Sequence, residues 1–133
     1  LEMDSLTQNE EFARVAAAVF MTRLDPTLEE VDDVKTAVSE AVTNAVIHGY
    51  GGGPGTIFIR AAVDGQEFTV EIRDDGVGIG DVARAMEPMF TTDTAGERSG
   101  MGFSFMEAFM DQVEVISAPG QGTRVIMKKR IGA

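Results

Sequence analysis

Apolar and polar residues alternate from Phe68 to Arg73, with Phe68, Val70 and Ile72 on one parity and Thr69, Glu71 and Arg73 on the other. That period of two predicts a strand with one buried face. Asp74 continues the apolar parity and is expected to point toward the covered side of a sheet, whereas Asp75 falls on the polar side. A second run from Thr56 to Val63 precedes it, and the turn Asp64-Gly65 predicts a hairpin between the two. Other stretches have a helical period. Phe12, Val15, Ala16, Val19 and Phe20 recur at that spacing between about Asn9 and Leu24, which predicts a helix buried through this stripe, with Arg14 off it and Asp25-Pro26 stopping it. Thr27-Leu28-Glu29-Glu30 is a capping box, so a second helix is expected from near Leu28 to Ile47 or His48, with Gly49 as its C-cap. Its buried stripe is Val31, Val34, Val38, Ala41, Val42 and Ala45. Residues 1–5 read as a short edge strand and 81–86 as a short helix. Gly102 opens a further helix from Phe103 to about Met110, and strands follow near Val113 to Ser117 and Thr123 to Lys129. Glu87 to Ser99 shows little periodicity and reads as a long loop, a kind of segment that often carries function.

Composition narrows the classes. With 133 residues and 44% hydrophobic content the chain suits a single domain, 1–133, with a real core. No apolar run approaches the roughly 20 residues of a membrane-spanning helix, and no signal-peptide pattern opens the chain, so a cytoplasmic protein without a membrane partner is expected. The absence of cysteine excludes disulfides and thiolate metal sites, and a single histidine leaves no histidine cluster, so any metal would be oxygen-bound. A formal net charge of −11 opposes direct attachment to nucleic acid. An acidic surface favours encounter with basic proteins, and equally serves solubility alone.

Three stretches carry candidate chemistry. In Arg73-Asp74-Asp75-Gly76-Val77-Gly78-Ile79-Gly80 the glycines let another group approach the backbone, and an inward Asp74 is placed to accept a hydrogen bond from the amino group of a flat ligand. The same pattern also describes a glycine-rich turn with solvated aspartates. On the second helix Glu40, Asn44 and His48 form one row at the edge of the apolar stripe. An amide oxygen from Asn44 together with nucleotide phosphates would satisfy magnesium, and Glu40 one turn earlier could take a proton from an attacking hydroxyl or water. A solvated Glu-Asn pair is the plainer reading. In Arg98-Ser99-Gly100-Met101-Gly102-Phe103 two glycines precede a helix whose free amides suit a phosphate chain, with Arg98 adding a charge-assisted contact, unless this is an ordinary loop-to-helix junction. Gly51-Gly52-Gly53-Pro54-Gly55 lacks the Lys-Ser/Thr ending of a P-loop and reads as a connection.

In this order the motifs resemble the GHKL ATPase superfamily of gyrase, the histidine kinases and MutL. Its nucleotide site combines a Glu-x-x-x-Asn helix, an Asp-x-Gly-x-Gly turn and a Gly-x-Gly at the end of a flexible lid. Here these correspond to Glu40 with Asn44, Asp74 with Gly76 and Gly78, and Gly100 with Gly102, while Gly122-Thr123 resembles the later threonine of the adenine pocket. Within the superfamily, SEAVTNAVIHGY, PMFTTD and ERSGMGF look closest to the bacterial anti-sigma serine kinases of sporulation. The resemblance implies an α/β two-layer sandwich of the Bergerat type, with a mostly antiparallel mixed sheet and helices on one face. It also implies an ATP- and Mg2+-dependent serine kinase, with ADP as product. In it Asp74 and Thr123 hold adenine, Asn44 the metal, and Arg98, Ser99, Gly100, Met101 and Gly102 the phosphates, under a lid of residues about 81–99. Glu40 is then the catalytic base. The implied partners are a sporulation sigma factor, sequestered by a homodimer, and an anti-anti-sigma factor that carries the phosphorylated serine. Arg14 is expected near a partner surface. The site leaves open a stress-pathway anti-sigma kinase, a noncatalytic ATP-gated binding module, or the catalytic half of a two-component histidine kinase.

Overall fold

Thr27 closes the start of the longest helix with both halves of the capping box. Its side chain accepts from Glu30 N at 3.1 Å, and Thr27 N donates to the Glu30 carboxylate at 2.9 Å. Such a cap is worth about 1 kcal/mol. The Thr27 amide, with that of Gly132, also holds the Glu30 carboxyl below its ordinary range. The computed structural model describes residues 1–86 and 102–132. In chain order it contains β1 (Glu2–Asp4), α1 (Asn9–Met21), a 3-10 turn (Thr22–Leu24), α2 (Leu28–Asn44), a π-helical turn (Ala45–Gly49), β2 (Thr56–Asp64) and β3 (Glu67–Asp74). There follow α3 (Val82–Ala85), α4 (Phe103–Phe109), β4 (Gln112–Ser117) and β5 (Thr123–Arg130).

The strands form a five-stranded sheet in the order β1-β2-β3-β5-β4. Every pairing among the described residues is antiparallel, so the sheet is not mixed. β3 lies at its centre. Phe68, Val70, Ile72 and Asp74 are its buried positions, as the parity of the sequence predicts. Phe68, Val70 and Ile72 share one core with Ile57 and Ile59 of β2, Val125 and Met127 of β5, Val34, Val38 and Val42 of α2, and Phe103 and Met106 of α4.

Two expectations about the helices need correction. In α1 the buried residues are Ala13, Ala17 and Met21, whereas Phe12, Val15 and Val19 are 53%, 46% and 64% exposed. α1 is apolar around most of its circumference, so its period predicts a helix without choosing the buried arc. α1 packs on α2, and α2 buries Ala37 and Ala41; small side chains permit close approach, and the alanine arc turns inward. The second correction concerns the end of α2. Beyond Asn44 the helix widens into the π turn, closed by Tyr50 N donating to Ala45 O at 3.0 Å. Gly49 lies inside that turn without the left-handed conformation of a C-cap; its role belongs to the site.

Candidate functional site

The site is built where the end of β3 meets the π turn. Asp74 is only 5% exposed, and Gly76 N donates to its Oδ1 at 2.9 Å. Burial pushes the Asp74 carboxyl above its ordinary range, and Asp75 adds to this, while the Gly76 and Thr123 amides and Arg73 oppose it. Asp75 faces the other way. Its carboxylate pairs with Arg73 at 2.7 Å, the Arg73 guanidinium lies over the Phe58 ring at 3.9 Å, and Asp75 N donates to the Tyr50 hydroxyl at 2.7 Å. That hydroxyl in turn donates to Thr56 O at 2.6 Å. One aspartate is thereby fixed inward and its neighbour outward.

Close backbone packing explains Gly49 and Gly76. A Cβ at Gly49 would stand 2.8 Å from the Asp74 carboxylate, and one at Gly76 would overlap the Gly49 carbonyl, which accepts from Val77 N at 2.9 Å. Any side chain at either position forces the β3 turn and the π turn apart. π turns recur at functional sites because they redirect the residues that follow; here the turn carries His48 and Gly49 to the same recess as Asp74.

That recess is open to solvent and spans ≈ 360 Å³ of non-protein space, the solvent at its mouth included. Asp74, Thr123, Ile72 and Val125 from the sheet line one side, Ala41, Asn44 and His48 another, with Gly78, Ile79 and Phe103 completing it. Mostly apolar walls with a few convergent polar groups suit a flat, partly polar small molecule. Thr123 is the cross-strand partner of Asp74. Its hydroxyl lies 2.9 Å from Ser117 Oγ, and Ser117 Oγ also accepts from Ile79 N at 2.8 Å.

Glu40 is half-buried on α2, one turn before Asn44, and its carboxylate lies against Gly102. Gly102 takes a φ of +71° as the residue before α4, and a Cβ there would overlap the Glu40 carboxylate. The structure therefore brings together Glu40, Asn44, Asp74, Gly76, Gly78, Gly102 and Thr123. Arg98, Ser99, Gly100 and Met101 lie outside the described residues, as does the expected lid beyond residue 86. Arg14 stands apart on α1, paired with Glu11 and, at 3.8 Å, with Glu10. Gly49, Tyr50 and Ser117 are site-building residues that sequence reasoning missed. The Gly49-Tyr50 pair at the end of the Glu40 row was the available signal, whereas Ser117 carried none.

The profile of the histidine kinase-like ATPase domain matches residues 4–129. The catalytic domain of the histidine kinase ThkA, in a nucleotide-free form, superposes with a TM-score of 0.59 over 76% of this chain and 67% of its own, at 19% identity, which speaks for the fold alone. An anti-sigma F factor of Clostridium acetobutylicum is 55% identical over 124 residues, 93% of this chain and 87% of that protein. One of Thermoanaerobacter sp. is 54% identical over 129 residues, 97% of this chain and 90% of the relative. One of Halalkalibacterium halodurans is 52% identical over 132 residues, 98% and 90% respectively. The chain belongs to the histidine kinase-like ATPase family and, within it, to the group of the anti-sigma F factors.

Proposed function

We propose that the chain is a cytoplasmic anti-sigma F factor that binds ATP with magnesium and phosphorylates a serine of its anti-anti-sigma factor. The observation that carries the nucleotide reading is Asp74, a carboxylate buried at the foot of an apolar recess with Thr123 beside it. A buried charge is costly unless something pairs with it, and the amino group of adenine is a partner of the right size. Among the described residues no group of three or more His, Cys, Asp or Glu is placed to hold a metal. A magnesium ion would be held by the Asn44 amide oxygen, with phosphates and water as its other ligands, a set that suits this hard cation. When bound, it neutralises charge on the phosphates. The sequence stretch from Arg98 to Gly102 is assigned to the phosphates.

Glu40 is the proposed base. It accepts the proton of the serine hydroxyl as the serine oxygen bonds to the γ-phosphorus and the bond to the bridging oxygen of ADP breaks. The half-buried setting of Glu40 beside Gly102 supports the role, because it holds the carboxylate at the mouth of α4.

Partner binding belongs to α1 in this reading. Phe12, Val15 and Val19 are a row of exposed apolar side chains on one helix, and two copies related by a two-fold axis would cover that row with itself. Arg14, anchored to Glu10 and Glu11 on the same helix, is assigned to the sigma factor. No described helix is long and apolar enough to cross a membrane.

Labelling tests the enzymatic part. With ATP carrying a labelled γ-phosphate, the anti-anti-sigma factor is expected to acquire acid-stable phosphoserine. Glu40→Gln should still bind ATP while transfer falls by at least about a hundredfold. Transfer at the normal rate by Glu40→Gln would remove the base assignment, and an unlabelled partner would leave a noncatalytic ATP-gated module.

A further inference from the structure

Ser117 ends β4 directly opposite Thr123, and among the described residues its hydroxyl oxygen has three polar neighbours. These are Ile79 N at 2.8 Å, the Gly122 carbonyl at 2.7 Å and Thr123 Oγ1 at 2.9 Å. A hydroxyl offers one hydrogen and two lone pairs. Ile79 N can only donate, so it occupies one lone pair. The Gly122 carbonyl can only accept, so the hydrogen of Ser117 goes there. A single lone pair is left for Thr123, which must therefore donate its own hydrogen to Ser117. What Thr123 can offer the recess is then lone pairs alone. Asp74 faces it across the β3-β5 pair, both line the recess, and an ionised carboxylate also only accepts.

We propose that Ser117 is the positioning residue that sets base specificity: by taking the Thr123 hydrogen it makes this end of the recess accept only, which selects 6-aminopurines over 6-oxopurines. The inference rests on the reading of the recess as a nucleotide site. Side-by-side acceptors match an exocyclic amine, which has two hydrogens to give. A carbonyl at the same position sets lone pair against lone pair, and the repulsion excludes it. Were the Thr123 hydroxyl free to rotate, it could donate to the carbonyl, and the discrimination would fade.

Calorimetric titration of the chain with ATP, inosine triphosphate and the triphosphate of purine riboside, which has only hydrogen at position 6, tests this. ATP is expected to bind most tightly, purine riboside triphosphate next and inosine triphosphate least, since an unmatched acceptor costs less than an opposed pair. Ser117→Ala should shrink the preference for ATP over inosine triphosphate by about tenfold, the worth of one hydrogen bond. Ser117→Thr, which restores the hydroxyl, should keep it, and in a Thr123→Val background Ser117→Ala should change the ratio no further. A merely structural role would weaken both nucleotides alike and leave the ratio as it was, which would overturn the proposal. Should Ser117→Ala fail to fold, the unaltered chain still decides: inosine triphosphate bound as tightly as purine riboside triphosphate would mean that the recess does not oppose a 6-oxo group, which would overturn the proposal. Failure of the unaltered chain to bind any of the three would refute the nucleotide reading itself, whereas tight ATP binding with no base preference would refute only the assignment of Ser117.

Discussion

α1 and α2 lie against each other and share the same helical period, yet they use it in opposite ways. On α2 the predicted apolar stripe is the buried one, with Val34, Val38, Ala41, Val42 and Ala45 inside and Val31 at the margin. On α1 Phe12, Val15 and Val19 of the predicted stripe face outward, alanines with Met21 take the interior, and of the stripe's large residues only Phe20 packs against the core. The difference lies in what flanks the stripe. α2 carries charged and polar residues opposite its valines, so only one arc can be buried. α1 offers alanine on the arc beside its large residues, and close packing on α2 favours the small ones. An exposed row that costs solubility is a recurrent mark of an interface, and it sits on the helix remote from the recess. α2, by contrast, ends in the residues that shape the recess. In the proposed reading one helix is built toward a small molecule and the other toward a protein.

The sharpest way to break the comparison is to mutate the two faces of α1. Met21 is fully buried, and Met21→Ala is expected to cost about 2–5 kcal/mol in chemical denaturation. Phe12→Ala with Val19→Ala should change the stability of the folded protomer by no more than about 0.5 kcal/mol per site, while weakening self-association in sedimentation equilibrium. Equal losses of folding stability on both faces would mean that the outward row is part of the core.

A smaller effect separates the recess from the rest of the core. Because the fold raises the Asp74 pKa, the ionised carboxylate destabilises the ligand-free chain. That cost is absent below the unfolded value of about 3.9 and grows as pH rises through the folded value. Asp74→Asn, which can still accept from Gly76 N, should therefore raise the thermal midpoint of the ligand-free chain at neutral pH and flatten its dependence on pH across that window, as followed by circular dichroism. A midpoint lowered by the substitution would mean that the charge is compensated inside the fold.

Much of the fold could be read from residue order because its signals are local. The parity of β3, the Asp64-Gly65 turn and the Thr27 capping box each require only neighbouring residues, and each is present in the structure. The inward aim of Asp74 was legible for the same reason. What escaped depends on contacts between distant segments. Gly49 looks like a helix stop, but its lack of a side chain is required by the Asp74 carboxylate, far along the chain. Tyr50 has no motif that announces its hydroxyl as the link between Thr56 and Asp75. Ser117 is a serine at a strand end until Ile79, Gly122 and Thr123 are placed around it. The buried arc of α1 was likewise settled by its neighbour and not by its own pattern.

Asp74 is the residue proposed to hold the base. Titration of Mg-ATP into the unaltered chain, Asp74→Asn and Asp75→Asn measures this directly. The buried Asp74 should lose at least about tenfold in affinity, the scale of one hydrogen bond to a charged group. Asp75, held outward by Arg73 and Tyr50, should remain within about twofold of the unaltered chain. Equal losses at the two positions, or none at Asp74, would contradict the account.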